Sequence, residues 1–190
     1  MDRRKALRNI GTGIGAIAVT PTVVSLFQSC QTTPSYATAF FSQEQFAAVS
    51  SLMELIIPAT DIPGAIELKL PEFADAYIAA VWDVEGQDKF QAGADAFMAA
   101  TLASTGKAKL SAVTTEEWDA QLAKYLKADT PPADEKEAAG FATQLRSLTV
   151  NAFKTNEFIG ENVMAYAPIP GEQRGCVDLM EATGGKSWSL

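Results

Sequence analysis

Ser42-Gln43-Glu44-Gln45-Phe46-Ala47-Ala48-Val49-Ser50-Ser51-Leu52-Met53-Glu54-Leu55-Ile56-Ile57-Pro58 is the stretch from which the fold class is read. Ser42 and Gln45 form a capping box: the serine hydroxyl can accept from the third amide while the glutamine side chain reaches back. Behind it Phe46, Val49, Met53, Ile56 and Ile57 recur at a helical period until Pro58 ends the run. A start signal, an apolar stripe and a stop signal in that order predict one amphipathic helix of a bundle.

The same grammar repeats downstream. Thr60-Asp61-Ile62-Pro63-Gly64 reads as a turn, with Asp61 able to bond to amides ahead and Gly64 able to supply a positive φ. Pro71 suits a first helical position, and Phe73, Tyr77, Ile78, Val81 and Trp82 are expected to form the next buried stripe. A third helix is expected over about 87–102, with Phe90, Ala94, Phe97 and Met98 inward. Thr114 and Glu117 make a second capping box, opening a helix through Trp118, Leu122, Tyr125 and Leu126. Asp129-Thr130-Pro131-Pro132-Ala133-Asp134 is a linker. The longest helix follows at about 135–155, with Phe141, Leu145, Leu148, Ala152 and Phe153 on one side. No strand alternation and no internal repeat is visible. The expectation is an all-α, compact helical bundle from Phe41 to about Asn162.

The C-terminus reads differently. Tyr166-Ala167-Pro168-Ile169-Pro170-Gly171-Glu172-Gln173-Arg174-Gly175-Cys176 cannot be a helix interior, because two prolines and two glycines interrupt it. Leu179, Met180, Trp188 and Leu190 follow with little periodicity. A tail this apolar is unlike a disordered one; it either wraps its own bundle or docks on another surface.

Upstream, Met1-Asp2-Arg3-Arg4-Lys5-Ala6-Leu7-Arg8 precedes a weakly apolar, Gly-rich run from Ile10 to Phe27. A basic segment, a short apolar core and a small residue before a cut make an export leader, residues 1–29. The pair Arg3-Arg4 points to the twin-arginine route, which carries cargo already folded. A spanning helix needs about 20 mainly apolar residues, and this run is shorter and broken by Gly11, Gly13, Gly15, Thr20 and Pro21. Two cut sites compete. Leu26-Phe27-Gln28-Ser29-Cys30 resembles a relaxed lipobox, with Cys30 lipidated and residues 30–40 serving as a tether. Ala37-Thr38-Ala39 would instead release a soluble protein starting at Phe40. The tether-like composition favours the lipobox, and with it a periplasmic, membrane-anchored protein.

Composition prunes function. The chain of 190 residues carries net charge −8, and because the leader is +3, the part from Cys30 onward is −11. So acidic a surface argues against nucleic acid and against anionic lipid. The 161 residues from Cys30 onward suit one domain, 41–190, with a real core. With Cys30 lipidated only Cys176 remains, which leaves no disulfide framework; an inert buried thiol is the expectation, with pairing to another chain as the alternative. Histidine is absent. Ser-His and Cys-His nucleophile pairs, Glu-x-x-His di-iron sites, His-ligated haem and ordinary zinc-hydrolase sites are therefore excluded. Glu116-Glu117 is the obvious acid pair, but at a helix start it reads as a response to the helix dipole. No catalytic, cofactor-binding or metal-binding residue is assigned in this chain.

Several segments carry a resemblance. Ile56-Ile57-Pro58-Ala59-Thr60-Asp61-Ile62-Pro63-Gly64-Ala65 resembles the opening signature of the gluconate 2-dehydrogenase subunit 3 family. Leu145-Arg146-Ser147-Leu148-Thr149 is similar to a later helix of that family. Thr155-Asn156-Glu157-Phe158-Ile159-Gly160 is a looser match to its Ser-Glu-x-Gly segment, with Asn156 in place of Ser and one extra residue. Tyr166-x-Pro168-Ile169-Pro170-Gly171 with Gly175-Cys176 resembles its C-terminal block. The resemblance implies a small, non-flavin, non-catalytic subunit of a periplasmic sugar or sugar-acid dehydrogenase. The implied partner is a large FAD-binding subunit of the glucose-methanol-choline type, often joined by a c-type cytochrome carrying haem c. The small subunit would escort the large one through the twin-arginine route. Interface expectations fall on Thr60, Asp61, Pro63 and Gly64, and on Tyr166, Ile169, Pro170, Cys176 and Trp188. The alternative is a stand-alone, lipid-anchored periplasmic protein binding a small ligand in a cleft between helices.

Overall fold

A computed structural model describes residues 36–127, 133–167, 169, 171 and 175–189. The leader, with Arg3, Arg4 and Cys30, lies outside the described residues, as do residues 129–132 of the linker and Pro170. The chain divides into Met1–Ala37 and Thr38–Leu190, and the second holds every element below.

Helix α1 spans Gln43–Ile56, and its capping box is complete: Gln45 N donates to Ser42 Oγ at 3.3 Å and Ser42 N to Gln45 Oε1 at 3.0 Å. Its inward face is Ala48, Val49, Leu52 and Met53. Helix α2 spans Leu70–Val81 with Pro71 in its first turn, where a missing N–H costs no helix bond. Helix α3 spans Val84–Thr105, three residues longer at each end than its periodicity predicts. The Asp83 carboxylate caps its start by accepting from Gly86 N at 2.9 Å, and Gly106 ends it at φ 67°. Helix α4 spans Thr115–Leu126 behind the expected Thr114–Glu117 capping box. Helix α5 spans Lys136–Lys154. The result is the all-α bundle the sequence predicts.

Helices α3 and α5 form the centre. Phe90, Phe97 and Phe141 are fully buried and meet at ring separations of 5.0 and 5.4 Å, with Trp118 and Tyr125 of α4 closing on Phe97. The crossing is close because position 93 has no side chain. A Cβ on Gly93 would stand 3.0 Å from Phe141 Cβ and 3.1 Å from Glu137 O. Packing at that density leaves no slack for added methyl groups.

Helix α2 is turned differently from the expectation. Ile78 is buried and Trp82 packs edge-on against Phe90 at 5.1 Å, but Phe73, Tyr77 and Val81 face solvent. The buried side is Leu70, Pro71, Ala74, Asp75 and Ile78. Asp75 decides the matter. Its carboxylate is fully buried and accepts from Ala39 N at 2.6 Å, Phe40 N at 3.0 Å and Phe41 N at 2.8 Å. A buried carboxylate needs such partners, and turning α2 to bury Phe73 would take Asp75 away from them.

After α5 the chain makes one π-helical turn, Ile159–Val163, with Ile159 fully buried. The tail then leaves and returns. An isolated parallel bridge pairs Ala165 with Trp188, through Ala165 N to Ser187 O and Ser189 N to Ala165 O, both 2.8 Å. Between them stands a short helix, α6, Leu179–Thr183, capped by Asp178 and ended by Gly184. The sequence gives no periodic signal for α6, since five residues span too few turns to show one.

Candidate partner interface

The turn after α1 is organised by a residue of α1 itself. Glu54 Oε1 accepts from Ala59 N at 3.2 Å and Oε2 from Ile66 N at 2.8 Å, so one carboxylate ties down both ends of the loop. Within it Thr60 N donates to Ile62 O at 3.0 Å and Thr60 Oγ1 accepts from Ile62 N at 3.3 Å. Asp61 is exposed and makes no such bond; Thr60 takes the expected role, because its hydroxyl is two residues from the amide it satisfies. Gly64 is not at positive φ either. The left-handed residue is Lys69, at φ 56° immediately before α2. Gly64 is required for room: a Cβ there would lie 2.3 Å from Glu54 Oε1 and 2.6 Å from Ala59 N.

Two of the quoted blocks meet at this place. Asn156 Nδ2 reaches Leu68 O at 3.5 Å, while Asn156 Oδ1 accepts from Phe158 N at 3.0 Å. Pro63, Glu67, Leu68, Lys69, Asn156 and Phe158 then border a groove of about 460 Å³. The next residues continue into the π-turn, where a Cβ on Gly160 would lie 2.9 Å from Ser189 Oγ, so the same short segment contacts the loop on one side and the returning tail on the other.

The other expected interface residues are placed as follows. Thr60 and Asp61 are exposed, Pro63 is half-buried and Gly64 is buried behind them. Tyr166, Ile169 and Trp188 are all exposed, Ile169 the most. Cys176 is a free, exposed thiol, not the buried one expected, because it lies in the open loop before α6. Glu116 and Glu117 behave as caps. A backbone amide and the Thr114 hydroxyl hold the Glu116 carboxyl below its ordinary range; the Lys107 ammonium, in direct contact, does the same for Glu117. At the far end of α4, Tyr125 donates to Glu135 at 2.8 Å, and Lys124 pairs with the same carboxylate at 2.5 Å. Burial pushes the Tyr125 phenol up, while Lys124 holds Glu135 down. These bonds join α4 to the start of α5 and are structural. Among the described residues no cluster of acidic or thiol side chains has metal-binding geometry.

What sequence reasoning missed is the open face of α2. Phe73, Ala76, Tyr77, Ala80 and Val81 are its exposed positions, and none is charged. Phe73 and Tyr77 stack at 5.6 Å with planes 19° apart. The available signal was a helix with more apolar positions than one stripe can hold, which a search for a single stripe overlooks.

Comparison with curated proteins and with solved structures finds no match. A family model described as gluconate 2-dehydrogenase subunit 3 does match, over residues 43–171. That span runs from α1 through the turn and the Asn156 segment into the tail and covers more than half of the chain, so the protein belongs to the gluconate 2-dehydrogenase subunit 3 family.

Proposed function

We propose that this chain is the non-catalytic small subunit and export escort of an FAD-dependent dehydrogenase of the glucose-methanol-choline type. The complex would oxidise a sugar or sugar acid in the periplasm and pass electrons onward, in some assemblies through a c-type cytochrome. The observation that carries this reading is the family match across α1 to the tail. The leader supports it chemically: Arg3-Arg4 suits a route for folded cargo, and Cys30 suits a lipid anchor. A flavoprotein without a leader of its own must travel with a folded companion that has one. Binding only the folded form also stabilises that form by mass action.

The test is to replace Arg3 and Arg4 together with Lys and to locate both proteins by fractionation. Both are expected to remain in the cytoplasm. A large subunit that still reaches the periplasm at its normal level overturns the escort role.

A further inference from the structure

The other long helices show charge to water: Glu44 on α1, Asp88 and Asp95 on α3, Asp119 and Lys124 on α4, Glu137 and Arg146 on α5. Helix α2 shows Phe73, Ala76, Tyr77, Ala80 and Val81, and Ile66 before it and Val84 after it are exposed as well. The larger side chains are exposed to different degrees: Tyr77 37%, Phe73 48%, Ile66 53%, Val81 60% and Val84 72%. Its opposite side already packs on α1 and α5. Apart from Glu72 and the buried Asp75 the helix is apolar on its exposed row as well as its packed one, more than a surface helix needs, and the exposed row, on the order of several hundred Å², is large enough to mark a binding surface.

We infer that this face of α2 is the core of the interface with the large dehydrogenase subunit, an inference that rests on the proposed subunit role. Three observations choose the occupant. Along the chain the row is flanked by Glu67, Asp83 and Glu85 against Lys69 and Lys89, the last of which pairs with Glu85, so its ends keep a net acid that a second copy would repeat. The chain from Cys30 onward is strongly acidic, which also disfavours an anionic membrane. The stacked Phe73–Tyr77 pair is a pre-ordered aromatic anchor, and interface cores are rich in aromatics and poor in charge. The partner surface is therefore an apolar groove with lysines and arginines at its edge. The face is smaller than the roughly 800 Å² per partner of a standard interface, so further contacts surround it.

The experiment uses the full chain co-produced with the large subunit, purified through a tag on the small one and read by flavin absorbance and by the mass of the co-purified subunit. Phe73→Ser and Val81→Lys, the latter a cation that suits the C-terminal end of α2, are each expected to lower flavoprotein recovery at least tenfold with the helical circular dichroism retained. Val84→Glu gives a second readout, since an acid in the first turn suits a helix N-terminus and cannot be blamed for misfolding. If the unaltered chain recovers no flavoprotein, the subunit reading itself fails. If it does, and the three variants recover as much, the assignment of this face is overturned while the subunit reading stands. An unaltered chain that runs as a homodimer and is split by Val84→Glu gives the face to a second copy and equally overturns the inference.

Discussion

Gly64 stands where a side chain has no room, between the carboxylate of Glu54 and the amide of Ala59. Gly64→Ala must push Glu54 aside and break its bonds to Ala59 and Ile66. Bonds to a charged group contribute about 1.5–3 kcal/mol each, but both of these are open to water, which replaces part of each, so a combined loss of about 2 kcal/mol is expected, read as a lower denaturation midpoint with an unchanged slope. A variant as stable as the parent would show that the turn is held by other contacts. The sequence marks Gly64 as a turn glycine but misplaces its reason, because the crowding comes from a side chain ten residues earlier. Asp75 is hidden in the same way. Its partners lie 34–36 residues upstream, and no local pattern distinguishes it from an ordinary surface acid. Residue roles set by neighbours in sequence, such as the Ser42 and Thr114 caps, were legible; roles set by neighbours in space were not.

At the scale of elements, α1 and α4 follow from periodicity and capping boxes, and α3 and α5 from periodicity alone. Helix α2 follows only in part: with two apolar rows and an acid, Asp75, on the packed one, the period fixes the helix but not its rotation. The tail is a second open case. Its described residues bond back at Ala165–Trp188 and from Lys186 to the π-turn, while Ile169, Val177, Leu179 and Met180 remain exposed. Of its described residues beyond Ala165, only Thr183 is buried. Truncation after Ala165 is therefore expected to leave helical circular dichroism intact and to weaken retention of the large subunit. Loss of the helical signal would assign the tail to the core; full retention of the partner would confine the interface to α2 and the loop before it.

For the molecule as a whole, the Asp75 clamp turns the N-terminus into a record of history. A leader peptidase needs its substrate drawn out as an extended strand, yet the Ala39–Phe40 bond is flanked by amides fastened to a buried carboxylate, and Phe41 is embedded against Phe90. Once the bundle has closed, cutting after Ala39 requires unfolding the start of the domain; before it has closed, the bond is open. Where the mature protein begins thus reports which came first, folding or cleavage. For cargo exported folded, the native N-terminus is expected at Cys30, carrying lipid, and mass spectrometry decides it. An Asp75→Asn chain, with the clamp weakened, should begin to yield Phe40 ends. A native protein that starts at Phe40 would mean that the leader is removed while the domain is still open, and that the chain crosses the membrane alone.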